Sequence, residues 1–245
     1  IIRPASGTRV LYLADEDASY IEFRDIDFDA VNVTSDAVKL TASFTASHHI
    51  RLRGGPAKNA GDGVLRGDDL EQGILVTNGA DSNEFIGVEV AYNGEASNRD
   101  HGFYIATDDN LVDGCHVHHN AAVGVQIVDV GADGDPDRNV VRNSDIHDNG
   151  QAGPTGEGIT VCGADNRIER NYSHDNQAAG ILVYDVDGVC DAINTTVRSN
   201  WLTGNGGEPI TVYPTAVGTV ESGNFLFAPV QNESGGTGAA GEIPR

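Results

Sequence analysis

The sequence has no methionine, a single tryptophan and only 6% aromatic residues in 245 positions. That shortage of large, adaptable core fillers argues against a helical bundle, and 31 glycines suit many short strands joined by turns. Basic residues are also scarce, 15 Lys and Arg against 37 Asp and Glu, for a formal charge of −22. Such a surface repels DNA, RNA and anionic membranes, so neither nucleic acid nor membrane is expected as a partner. A polyanionic ligand would need a cation or a local basic patch beside it. No apolar run approaches the roughly 20 residues of a membrane span. The three cysteines, Cys115, Cys162 and Cys190, fit no metal spacing such as Cys-x-x-Cys. The first residue is Ile1, with no leader pattern, which reads as a mature or trimmed product of a secreted or cell-surface protein.

What the sequence does have is a repeat. Seven segments share one apolar pattern: Asp36–Leu40, Gln72–Val76, His101–Ile105, Val123–Ile127, Glu157–Val161, Ala179–Val183 and Glu208–Val212. Each places β-branched or apolar residues at its third and fifth positions, so each reads as a strand with two inward side chains. An 11-residue block follows each central strand and ends in asparagine, at Asn93, Asn120, Asn149, Asn176 and Asn205. Asparagine tolerates a left-handed backbone, and its amide can bond to the copy one coil away. Five in register predict coils stacked at about 4.8 Å. The expected fold is all-β, a single-stranded right-handed parallel β-helix of about seven to eight coils over residues 1–227, with 228–245 as a tail or cap. Amphipathic helices alternating with strands, which a Rossmann fold or a TIM barrel needs, are absent.

Extra residues collect in the turns on either side of the central strand, at Val128–Arg138 and Tyr184–Asn194 after it and at Gly94–Asp100 and Gly150–Gly156 before it. A groove along the outward face of that strand is the expected result, because solenoids keep binding function in such insertions. Arg99, Asp100, His101 and Tyr104 enter this face together. Arginine would hold a uronate carboxylate, a neighbouring base would remove the C5 proton, and Tyr104 would serve as acid. Lys39, Gln126 and Glu157 are expected to bind substrate beyond them. Asp129, Asp133, Asp135 and Asp137 alternate in a Gly-containing loop and offer hard oxygens suited to Ca²⁺. His118, His147 and His174 recur at one position, but copies stacked one coil apart diverge rather than converge on one ion, so a polar corner is the expected role. Cys162 and Cys190 lie near one edge of neighbouring coils, where a disulfide can form, and Cys115 should be a buried thiol.

The stretch Asn98-Arg-Asp-His-Gly-Phe-Tyr-Ile-Ala-Thr107, with the Ile-His-Asp-Asn-Gly corner at Ile146–Gly150, resembles the catalytic β-helix modules of mannuronan C5-epimerases. These belong to a wider group of β-helix carbohydrate enzymes that includes polysaccharide lyases. The openings Ile2–Gly7 and Tyr20–Phe28 resemble the first coils of such proteins. The Tyr-Gly-Phe-Asp-Pro-His-type motif of those epimerases does not occur here, and only its Arg/His element maps, onto Arg99 and His101. The resemblance implies a β-helix that handles carbohydrate, with a polysaccharide as partner. Three functions follow as expectations: a lyase or C5-epimerase acting on a uronic-acid polysaccharide, a glycoside hydrolase drawing paired carboxylates from Asp36, Asp100, Glu157 and Glu208, or a non-catalytic carbohydrate-binding or tailspike-like solenoid.

Overall fold

Two- and three-residue strands separated by sharp corners are the only regular elements in the described part of the chain. The structure is a computed structural model describing residues 1–15, 18–42, 46–61, 71–95, 99–128, 136–152, 155–185 and 190–227. The strands pair in parallel into three sheets of eight, and each coil contributes one strand to each sheet in turn. This is the parallel β-helix expected from the repeat. The residues assigned to the tail, 228–245, lie outside the described part.

Strand parity decides what points inward. In the first sheet, which runs from Leu11–Leu13 to Ile210–Val212, the first and third residues face the core and the middle one faces out. Phe103 and Ile105 are buried on either side of half-buried Tyr104, and Val125 and Ile127 flank Gln126 in the same way. In the second and third sheets the parity reverses. Val112 and Val117 are the inward middle residues of Leu111–Asp113 and His116–His118. Four inward columns of mostly Val, Ile, Leu and Phe thus run the length of the coil stack and form one continuous core.

The corners explain the asparagines. Asn93, Asn120, Asn149, Asn176 and Asn205 stack as expected: from Asn120 onward each side-chain Oδ1 accepts both the backbone N–H and the side-chain Nδ2–H of the asparagine one coil earlier, whereas Asn93 Oδ1 accepts the Ala60 N–H. Each of Asn93, Asn120, Asn149 and Asn176 also donates through Nδ2 to a strand carbonyl, at 3.0–3.2 Å. The same device recurs at the other corners, through Asn83, Asn110, Asn139 and Asn166 and through Asn171, Asn200 and Asn224. The expected left-handed backbone is present, but one residue earlier than the asparagines themselves. Tyr92, His119, Asp148 and Asp175 carry positive φ of 51–58° immediately before Asn93, Asn120, Asn149 and Asn176. The left-handed residue makes the bend, and the ladder amide after it satisfies the backbone groups the bend leaves unpaired.

Close packing at this corner also sets the glycine of the strand entry. A Cβ on Gly102 would lie 2.5 Å from the Gly124 carbonyl oxygen and 2.8 Å from Asn120 Nδ2, so no other residue fits between His101 and Phe103. On another edge, Cys162 and Cys190 form a disulfide between neighbouring coils. Cys115 is a free buried thiol whose pKa burial pushes up to about 12, which leaves it inert at neutral pH.

Candidate functional site

The outward column of the first sheet is Tyr12, Lys39, Leu75, Tyr104, Gln126, Thr160, Leu182 and Thr211, set side by side by the strand register. A cleft of about 340 Å³ opens over its centre. Arg99, His101, Tyr104, Gln126, Glu157, Thr160 and Tyr184 line it, with Thr155, Val123 and Leu182. Arg99 comes from the long turn 94–100, Thr155 from 150–156 and Tyr184 from 184–194, so the insertions border the strand face as their positions implied.

The entry to the Phe103–Ile105 strand is clamped from the coil below. Gln72 is fully buried. Its Nε2 donates to the Arg99 carbonyl at 2.6 Å, and its Oε1 accepts the His101 N–H at 2.6 Å. One amide thereby fixes the backbone on both sides of Asp100. Gln72 is itself held by Asp36, whose Oδ1 accepts the Gln72 N–H at 3.2 Å and whose Oδ2 accepts from Arg9 at 2.7 Å.

His101 is only 3% exposed. Burial, reinforced by the Arg99 charge, pushes its imidazole pKa down to about 3, so the ring is neutral at physiological pH. Its Nδ1 accepts the Val123 N–H from the next coil at 3.2 Å. The neutral ring therefore carries its hydrogen on Nε2 and presents a donor rather than a free base. A stability measurement tests this. Below about pH 6.5 the unfolded chain takes up a proton at this residue that the folded protein refuses until about pH 3. Compared with a His101→Gln variant, the native protein should lose up to about 1.4 kcal/mol of stability per pH unit across that window. Urea unfolding at pH 7, 6, 5 and 4 reads the difference, and a constant gap between the two proteins would refute the neutral ring.

Tyr184 lines the cleft but is not among the residues the sequence points to. Burial first, then the neighbouring Tyr104, Glu157 and Tyr213, pushes its phenol pKa up to about 12, so it stays protonated. Thr160 is only 4% exposed, and its hydroxyl has no hydrogen-bond partner among the described residues. A buried hydroxyl of this kind on the wall of a cleft can hydrogen-bond to whatever enters it. Thr160 and Leu182 occupy the same strand position as Tyr104 and Gln126, so the repeat held the signal for both. Nothing in the sequence marked Tyr184, the first residue of a long turn.

The other expected site residues are placed as follows. Arg99, His101, Tyr104, Gln126 and Glu157 come together in the cleft. Asp100 is buried and turned from it, with its Oδ1 accepting the Glu71 N–H at 3.3 Å. Lys39 stands two strands from Tyr104, with Leu75 between them, and does not line the cleft. Of the carboxylates named for a hydrolase, only Glu157 lines it. Asp36 is paired with Arg9, and Glu208 is exposed outside the cleft lining. Asp129, Asp133 and Asp135 lie outside the described residues. Asp137 is tied to the matching turns of the two neighbouring coils: its N–H donates to Asp108 at 2.9 Å, and its Oδ1 accepts the Ala164 N–H at 2.7 Å.

A coil stack with a cleft over one sheet matches a known family. The family model described as "Right handed beta helix region" covers residues 22–225. The chain belongs to the right-handed β-helix family. Among solved structures, this β-helix is similar to the periplasmic alginate epimerase AlgG, with TM-score 0.63 and 10% identity over 86% of this chain and 48% of that one. It is similar to the A-module of the Azotobacter vinelandii mannuronan C-5 epimerase AlgE4, with TM-score 0.61 and 18% identity over 86% and 57%. It is also similar to an alginate lyase from Paenibacillus sp. str. FPU-7, with TM-score 0.64 and 15% identity over 90% and 74%. At these identities the likeness shows the fold. This β-helix spans about half the length of the two epimerase structures. No curated protein matches it in sequence.

Proposed function

We propose that this β-helix acts on a uronic-acid-containing polysaccharide by abstracting the proton on C5, as a lyase or a C5-epimerase. The observation that carries the reading is the composition of the cleft: a cation, Arg99, beside a neutral imidazole donor, with two tyrosines and one carboxylate around them. The C5 proton is acidified by the adjoining carboxyl group, and its removal is feasible only if the negative charge then placed on that carboxyl is stabilised. Arg99 pairs with the carboxylate, and His101 Nε2–H adds a neutral hydrogen bond that becomes stronger as charge develops. His101 is therefore an electrophile here, and the base must be another group. Glu157 is the carboxylate among the described lining residues, and its Oε2 accepts the Gly156 N–H at 3.1 Å, which orients it. The proton passes to Glu157 and the electron pair enters the substrate carboxyl. Tyr104 then protonates either the departing O4 of the cleaved linkage, giving an unsaturated uronate, or C5 from the opposite face, giving the epimer. Gln126, the Thr160 hydroxyl and the Tyr184 phenol hold the sugar hydroxyls. Similarity to alginate epimerases and an alginate lyase supports the substrate class.

The test is a panel of polymannuronate, polyguluronate, polygalacturonate and a neutral glucan, assayed in D₂O. Ultraviolet absorbance of an unsaturated uronate marks a lyase, and deuterium entering C5 without chain cleavage marks an epimerase. Neither signal from any polyuronate would overturn the proposal and favour the binding-module reading. We assign Ca²⁺ to the acidic loop Asp129–Asp137 as part of the same reading. Adding Ca²⁺ to chelator-stripped protein should then raise the melting temperature, by an amount set by free ion relative to its affinity. Unchanged melting would remove calcium from the account.

A further inference from the structure

The outer face of the third sheet, on a different wall from the cleft, carries a histidine cluster that the proposed reaction does not use. The register places Glu89, His116, Asp145 and Tyr172 in one outward column and Ala91, His118, His147 and His174 in the other. The second column behaves as the repeat implies. The His118 and His147 rings stack at 5.1 Å and 7°, and those of His147 and His174 at 4.8 Å and 13°, so their planes run parallel and their nitrogens do not converge. His116, from the first column, changes this. Its Nε2 lies 2.7 Å from His147 Nε2, and its ring centre is 4.2 Å from that of His118. His118 Nε2 in turn lies 3.2 Å from Glu89 Oε1.

Two ligand sets therefore share His116. One is His116, Asp145 and His147, the other Glu89, His116 and His118, and in each the ligand atoms all lie within 4.8 Å of one another. Ligand atoms on a tetrahedral ion bound at about 2.0–2.2 Å stand roughly 3.3–3.6 Å apart, so small side-chain rotations would complete either set. Tautomers favour the first. His147 Nδ1 is 2.7 Å from Asp148 Oδ2, and since a carboxylate only accepts, that contact places the His147 hydrogen on Nδ1 and leaves a lone pair on Nε2. A carboxylate behind a ligating imidazole is the arrangement that orients histidine at metal centres. The nitrogen left open by Asp148 is the one that faces His116.

We propose that this face binds a divalent transition ion of the zinc class through His116 Nε2, His147 Nε2 and the Asp145 carboxylate, with water completing the shell. Two imidazoles and one carboxylate select Zn²⁺, Co²⁺, Ni²⁺ or Cu²⁺ over Ca²⁺ and Mg²⁺, which prefer oxygen-only shells. The ion joins two adjacent coils, so it is a staple across the solenoid as well as a binding site. It is separate from the calcium assigned to the acidic loop and does not depend on the reaction in the cleft.

The experiment uses untagged, metal-stripped full chain and titrates ZnCl₂ by calorimetry, with CaCl₂ and MgCl₂ in parallel. Zinc should bind stoichiometrically while calcium and magnesium give no heat that competes with it. His116→Ala and His147→Ala should each weaken zinc by at least about tenfold, and Asp148→Asn by about 10–100-fold, the usual loss when a ligand's supporting carboxylate is removed. His49→Ala, in the separate His48–His49 pair, should bind zinc as the native chain does. Co²⁺ added to the native protein should give visible absorption bands of a four- or five-coordinate nitrogen-containing site, a readout independent of whether the variants fold. Absence of zinc binding, undiminished binding in both His116→Ala and His147→Ala, or a cobalt spectrum of the hydrated ion alone would each overturn the proposal.

Discussion

Replacing Asn149 with alanine should destabilise the fold by about 3–5 kcal/mol, a large loss for one small side chain. Asn149 is 1% exposed and makes four side-chain hydrogen bonds. Its Oδ1 accepts from the Asn120 backbone at 3.3 Å and from Asn120 Nδ2 at 2.9 Å, and its Nδ2 donates to the Val117 carbonyl at 3.1 Å and to Asn176 Oδ1 at 2.9 Å. Alanine leaves every one of those partners facing a space too enclosed for easy hydration, and a buried polar group without a partner costs about 1–3 kcal/mol. The loss should not reach the full sum, because neighbouring amides can rotate toward each other. Asn205, at the end of the same column, has no further asparagine to donate to among the described residues, and its alanine variant should lose less. Urea unfolding of the two variants gives the comparison. A loss below about 1 kcal/mol at Asn149 would show that the ladder is not a main source of coil stability.

Tyr104→Phe should reduce turnover of the best polyuronate substrate by about 10²–10⁴-fold, the usual cost of losing a general acid. The ring and its packing stay, so the melting temperature should barely move. The loss should fall on kcat, because the proton is delivered only in the transition state. Tyr184→Phe offers the contrast. Its phenol, held protonated by burial, is proposed to grip substrate rather than to donate the proton, so its loss should chiefly raise KM. Steady-state kinetics on both variants separates the two roles. Full activity in Tyr104→Phe would take that residue out of the mechanism, and a collapse of kcat in Tyr184→Phe alone would transfer the acid role to Tyr184.

The apolar Phe103 and Ile105 on either side of Tyr104 imply that it faces outward, and it does. The place of Asn149 at the end of the 11-residue block implies a ladder member, and it is one. The role of His101 could not be read that way. Its neutral state depends on burial under neighbouring turns, and its tautomer depends on the Val123 amide, 22 positions along the chain and one coil away. Asp100, adjacent in sequence to two cleft residues, turns inward because the Gln72 clamp sets the backbone around it. The histidine ladder shows the same division. Its stacking followed from the repeat, whereas the approach of His116 to His147 crosses between two outward columns, and no single column of the alignment contains it.

The sequence alone therefore determined the coil. Strand alternation is a matter of parity, each coil contacts mainly its neighbours, and a residue type repeated at one position must stack on its own copies at about 4.8 Å. Such rules are local and periodic, so a one-dimensional pattern suffices to carry them. The tertiary structure decided which side-chain ends meet: Arg99, His101 and Tyr184 around one cleft, the Thr160 hydroxyl on its wall, and His116 against His147 on the far sheet. Those meetings depend on rotamers and on turns of unequal length folding over a regular face, and neither follows the period of the repeat.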